Sequence, residues 1–180
     1  MTDRTQWTIV GVVAVILAAG AIYAADRWGA EMRTVSVGSP MPDFYAHTMS
    51  TPPVTKHFSD YNGRVVIVNV WATYCVPCRV EMPSLEHLHQ ELAPKGLVVL
   101  GVSIDDPGQE PNILEFTKEY GLTFEILQEG TGHIEQLLDA FGVPATFVVG
   151  KDGIIRKKLV GASEWDSPAS RAMVERLLDE

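Results

Sequence analysis

Cysteine is almost missing from this chain. Two occur in 180 residues, Cys75 and Cys78. The fold therefore cannot rest on a framework of disulfides, and no second pair exists to complete a four-thiolate metal site. Basic clusters are missing too. The 14 Lys and Arg face 23 Asp and Glu, for a net charge of −9, and the run Arg156-Lys-Lys158 reads as a solvated strand end. A nucleic-acid partner would require a basic stripe, so that class is excluded. No internal repeat and no low-complexity tract appears, which leaves one ordinary domain behind whatever the N-terminus does.

The N-terminus holds a charge-free apolar run, Thr8 to Ala25, of 18 residues. That is the lower part of the range that crosses a bilayer as a helix. Trp7 and Trp28 flank it as interfacial aromatics do. The reading is a short tail over 1–7, a transmembrane anchor over 8–25 and a linker over 26–39, with a cleaved signal sequence as the competing reading. Asp3 and Arg4 precede the run and Asp26, Arg27 and Arg33 follow it, so charge does not set its orientation.

The two cysteines form Cys75-Val-Pro-Cys78, directly after the apolar run Val65-Val-Ile-Val-Asn-Val70. That order places a dithiol where a buried strand ends and a helix begins. A helix N-terminus offers free N–H groups and a positive dipole end, which stabilise a thiolate. The chemistry implied is reversible thiol–disulfide exchange, with no metal or organic cofactor. A merely structural bridge would close so short a loop that it restrains little of the unfolded chain. A zinc site with His87 and His89 has the wrong spacing, C-x2-C-x8-H-x-H, and the two histidines should point to different helix faces.

The rest of the chain alternates. A lead-in with a small hairpin and a turn at Asn62-Gly63 precedes the strand over 64–70. A helix over 77–93 should be kinked at Pro83. A strand over 97–104, a helix over 110–120, a strand over 123–127 and a helix over 133–141 follow. A hairpin of 146–149 and 154–160 comes next, and Ser167-Pro168 opens a last helix to Leu178. This order predicts an α/β sandwich with a mixed central sheet over 40–180.

Trp71-Ala-Thr-Tyr-Cys-Val-Pro-Cys-Arg-Val-Glu-Met-Pro83, with Pro42-Asp-Phe44 before it and Gly142-Val-Pro-Ala-Thr-Phe147 after it, resembles the TlpA/ResA-like membrane-anchored thiol-disulfide oxidoreductases of the thioredoxin fold. The resemblance implies that Cys75 attacks and the buried Cys78 resolves. It also implies that Val143-Pro144 is a cis-proline loop facing the dithiol, and that Trp71 and Tyr74 are the aromatics beside the substrate. Glu81 falls one helical turn after Cys78, and the resemblance makes it the group that handles protons for the cysteines. A solvated helix glutamate is the alternative for Glu81. Asn69 stands where many thioredoxins carry a buried aspartate. The implied partners are protein disulfides, such as those of apocytochrome c or copper-site proteins, and a transmembrane thiol electron donor that keeps an extracytoplasmic domain reduced. Two rival readings share the fold. One is a peroxiredoxin-type peroxidase, for which Thr73 stands one residue too close to Cys75. The other is a copper-delivery protein that would use His133, for which the cysteine spacing is too narrow.

Overall fold

The computed structural model describes residues 3–28 and 35–180. They fall into two units divided between residues 34 and 35. In the first, Asp3–Trp28 is one helix of 26 residues, α1, which contains the whole of the expected span. The side chains described from Gly11 to Tyr23 are all exposed. Among the described residues no helix is long and apolar enough to cross a membrane.

The second unit is built on seven strands. They are β1 (Tyr45–Thr48), β2 (Thr55–His57), β3 (Val65–Trp71), β4 (Leu97–Ser103), β5 (Glu125–Gln128), β6 (Ala145–Val149) and β7 (Ile155–Val160). The order is β2-β1-β5-β4-β3-β6-β7. β3, β4 and β5 run parallel, whereas β6 pairs antiparallel with β3 and β1 with β5. The sheet is therefore mixed, as the alternation of elements predicts.

β3 is buried along all seven residues. Successive side chains in a strand point to opposite faces. Val65, Ile67 and Trp71 join the core under α2 (Val76–Leu92), α3 (Glu110–Glu119) and α5 (Pro168–Asp179). Val66, Val68 and Val70 join the core on the other face, with Phe44, Phe147 and Ile134 of α4 (His133–Leu137). Asn69 has the parity of Val65, Ile67 and Trp71. It is thus a polar group set into the face that α2 covers.

The structure differs from the sequence reading at several places. The linker is shorter at its C-terminal end than 26–39: Gly38 N–H donates to Ile155 at 2.8 Å, and Lys158 Nζ donates to the Val35 carbonyl at 3.0 Å. Residues 29–34 lie outside the described residues. α4 stops at Leu137 rather than Phe141, because Asp139 takes a left-handed φ of 49° and Ala140 N–H bonds back to Glu135. That 6→1 bond after a left-handed residue is a Schellman-type helix stop, usually built on glycine. Phe141 is left exposed.

Candidate active site

The dithiol lies where β3 hands over to α2. Cys75 is the N-cap of α2, with extended backbone, and Val-Pro occupies the first helical turn. Pro77 suits that position because its missing N–H is one the helix could not satisfy internally. Cys75 and Cys78 are joined in a disulfide with Cα atoms 5.3 Å apart. Cys75 Sγ also accepts the Cys78 backbone N–H at 3.1 Å. The same N–H would stabilise a Cys75 thiolate once the bond is reduced. Cys75 keeps 5% of its surface and Cys78 none, so Cys75 Sγ is the sulfur that a partner can reach. Cys75 is more covered than an exposed nucleophile implies. The open surface beside it belongs to Tyr74, Val76 and Val80.

Four expected residues surround this bond in different ways. Tyr74 is exposed and available for contact. Burial and then the carboxylates of Asp105, Glu135 and Asp106 hold its phenol above the ordinary value, so it stays neutral. The Val143-Pro144 bond is cis. Val70 pairs with Ala145, so the residue before Ala145, Pro144, stands beside the end of β3 from which the motif leaves. Val143 is half-buried and Pro144 buried, and the Pro144 carbonyl accepts from Gly161 N–H at 2.8 Å. Trp71 departs from expectation. It has no exposed surface and packs its ring 4.6 Å from that of Phe116. Its parity in β3 turns it into the core, so it supports the motif from beneath and offers no surface to a substrate.

Glu81 is no solvated helix residue. It keeps 1% of its surface. The stripe Cys78, Glu81, Met82, Leu85, Leu88 and Leu92 is the face that α2 buries, and Glu81 falls in it by helical spacing. Its carboxyl is held by donors. Asn69 Nδ2 donates to Oε1 at 2.6 Å, and Trp165 Nε1 and Ser163 N–H donate to Oε2 at 3.2 Å each. Burial pushes its pKa up, while the bonds from Asn69, Trp165 and Ser163 pull it down, and burial wins. A carboxyl so placed can exchange a proton at a higher pH than a free glutamate, one turn from Cys78.

Asp105 was not foreseen. It follows β4 and is 3% exposed. It accepts from Thr73 N–H at 2.9 Å, from the Thr73 hydroxyl at 2.6 Å and from the Ser103 hydroxyl at 2.6 Å. Arg79 donates to the Thr73 carbonyl at 2.9 Å. Both backbone polar groups of Thr73 are thereby fixed, two residues before Cys75. The Thr73 hydroxyl is committed to Asp105, which disfavours the peroxidase role. His87 and His89 diverge as expected: His87 faces Asp166 at 3.2 Å and His89 meets the edge of Phe124 at 5.9 Å. His133 stacks on Tyr45 at 5.2 Å, in α4.

The AhpC/TSA family model matches residues 37–158. The thiol-disulfide oxidoreductase ResA of Geobacillus thermodenitrificans is 35% identical over 144 residues, 78% of this chain and 77% of its own. The thiol:disulfide interchange protein DsbE of Pseudomonas fluorescens biotype C is 31% identical over 155 residues, 84% of this chain and 83% of its own. Among solved structures, a thiol:disulfide interchange protein from Bacteroides sp. superposes with a TM-score of 0.68 at 20% identity, over 82% of this chain and 93% of its own. That similarity carries the fold, which is thioredoxin-like.

Proposed function

The chain belongs to the AhpC/TSA family, as a protein thiol-disulfide oxidoreductase of the ResA and DsbE kind, and from that premise we propose that it is a membrane-tethered, extracytoplasmic reductase of protein disulfides. The observation that carries the reading is the disulfide itself. One sulfur is reachable and sits at a helix N-terminus, and the other is covered, one turn before a buried carboxyl.

The reduced protein starts with a Cys75 thiolate. It attacks one sulfur of a substrate disulfide, forms the mixed disulfide and releases the other substrate sulfur as a thiolate, which takes a proton from solvent. Glu81 then accepts the Cys78 proton. The Cys78 thiolate attacks Cys75 Sγ, the protein disulfide forms, and the second substrate sulfur leaves as a thiolate that takes the proton Glu81 holds. Two electrons pass from the protein dithiol to the substrate. Tyr74 and the Val143-Pro144 loop form the surface against which the substrate lies. A thiol donor in the membrane returns the two electrons.

The anchor is Thr8–Ala25. Its support is the charge-free apolar run of 18 residues in the sequence, at the lower end of what crosses a bilayer. Disulfides formed between the cysteines of apocytochrome c or of copper-site proteins are fitting substrates for a tethered reductase.

The test is redox trapping in growing cells by acid quench and alkylation. Cys75 and Cys78 should be mostly reduced and should become oxidised when electron supply is cut. A steady-state disulfide that ignores loss of the donor would make the protein an oxidant.

A further inference from the structure

Asn69 presents a buried polar atom with no partner. Its Nδ2 donates both to Glu81 Oε1 at 2.6 Å and to Thr146 Oγ1 at 2.8 Å. Its Oδ1 is buried and takes no hydrogen bond. Asn69, Glu81 and Thr146 are 0%, 1% and 0% exposed. Leaving a carbonyl oxygen unpaired there is costly, and buried polar groups are normally satisfied. The arrangement suits one protonation state of Glu81 and no other.

The two oxygens of Glu81 are not equivalent. Oε2 faces Trp165 Nε1–H and Ser163 N–H, groups that can only donate. A proton on Oε2 would point at two other protons. Oε1 faces an amide, which carries a donor at one end and an acceptor at the other. Thr146, the amide's second neighbour, is a hydroxyl that can either accept or donate. Half a turn of the Asn69 amide would put Oδ1 where Nδ2 now lies. Oδ1 would then accept from a proton on Glu81 Oε1 and from the Thr146 hydroxyl.

We propose that Asn69 is a positioning residue that exchanges its amide ends when Glu81 gains a proton, that the proton resides on Oε1, and that the Thr146 hydroxyl reverses with the amide. The inference rests on Glu81 being the proton acceptor for Cys78. The groups facing Glu81 are Asn69 from β3 and Ser163 and Trp165 from the loop before α5, all uncharged, with Thr146 of β6 behind Asn69. Lys157 of β7 sits 4.9 Å from the Trp165 ring centroid and is a cation on the far partner of that bond. α2 also carries Arg79, which donates to Thr73, Glu86, which accepts from Thr123, His87, which faces Asp166, and His89 and Glu91. The remaining titratable groups on that helix are Cys75 and Cys78. Both are silent while they are bonded to each other.

The experiment is therefore made on the oxidised full chain in detergent micelles. Glu81 is followed by its carboxyl 13C signal, assigned by its absence in Glu81→Gln, and Asn69 by its side-chain 15N–H2 signals. Across a pH series the two should titrate with one midpoint. The contact between the Asn69 amide protons and the Thr146 methyl should change over the same range. In Asn69→Leu, which has neither end of the amide, the Glu81 midpoint should rise by about one unit through loss of the donor to the carboxylate. Amide signals that ignore the Glu81 titration overturn the exchange of ends, as does a Glu81 midpoint unchanged in Asn69→Leu. Should Asn69→Leu fail to fold, the wild-type titration decides alone. Failure of the underlying reading shows elsewhere, as a pH profile of Cys75 alkylation in the reduced protein that Glu81→Gln leaves in place.

Discussion

Replacing Glu81 by alanine and by glutamine should separate what its bonds hold from what its charge costs. Alanine takes the acceptor from three N–H donors, Asn69 Nδ2, Trp165 Nε1 and Ser163 N. An unsatisfied buried donor costs about 1–3 kcal/mol. The relief of no longer burying a carboxylate offsets part of that, and the emptied volume adds some back. The expected net loss is about 2–4 kcal/mol, or roughly 4–16 °C in Tm for a domain of this size. Glutamine keeps the shape. Its carbonyl can take the place of Oε2, and its amide can donate to a turned Asn69, so its stability should stay within about 1 kcal/mol of wild type. The pH dependence carries the sign. Burial raises the folded-state pKa of Glu81 above that of the unfolded chain. Its favourable contribution is then fully present below the ordinary carboxylate range and is lost as pH rises through the raised value. Glutamine does not titrate, so the gap between Glu81→Gln and wild type should move in favour of the mutant as pH rises across that window. Urea denaturation of the oxidised protein at a series of pH values, read as midpoint and slope, measures both effects. An alanine variant as stable as wild type would refute the accounting of donors. A gap that stays constant with pH would refute the buried charge.

Other outcomes follow from the same geometry. In the reduced protein, alkylation at neutral pH should label Cys75 well before Cys78, and Cys78→Ser should accumulate a mixed disulfide on Cys75; faster labelling of Cys78 would reverse their roles. Asp105→Ala should cost about 2 kcal/mol, because it leaves Thr73 and Ser103 donors without an acceptor. It should also slow exchange at Cys75 several-fold, measured as the rate of reaction with a model disulfide, and an unchanged rate would leave Asp105 as a purely structural tie. Lys158→Met should loosen the start of the domain, since Lys158 Nζ donates to the carbonyls of Val35, Leu138 and Asp139. Proteolysis near residue 35 checks this, and cleavage no faster than in wild type counts against it.

What was legible in the sequence is what local rules decide. β3 announces itself because a strand buried on both faces must be apolar along its length. Cys75 as N-cap follows from the strand ending and from Pro77 at the first turn of α2. The placement of Glu81 needed only helical spacing, and carrying the Leu85, Leu88 and Leu92 stripe back one turn would also have shown that it is buried. Strand parity would have moved Trp71 inward, since it shares a face with Val65 and Ile67, but its place beside the motif suggested a surface role. Asp139 hid the end of α4, because a left-handed non-glycine residue leaves no plain mark in the sequence. Ser163, Trp165 and Asp105 were out of reach. They come from loops after β7 and β4, and nothing near them in the chain says that those loops return to α2 and to Thr73.

The site thus holds its dithiol from two sides by different physics. Before Cys75, Asp105 and Arg79 fix both backbone polar groups of Thr73, so the sulfur proposed to attack would need little reordering before it reacts. After Cys78, Glu81 is kept among uncharged donors that suit its carboxylate, and the turning of Asn69 proposed above would let it hold a proton as well, as the proposed role of proton acceptor requires. Thioredoxins with a carboxylate at the Asn69 position set it in the strand. Here the strand supplies an amide and the helix supplies the acid. A carboxylate at position 69 would face another at 2.6 Å, and two charges so close cannot both ionise. Asn69→Asp should therefore trap one shared proton between the two groups and raise the pH at which the pair becomes fully ionised. The carboxyl 13C signals of the oxidised protein report this directly. Two independent titrations at ordinary carboxylate values would show that position 69 and Glu81 do not share a site.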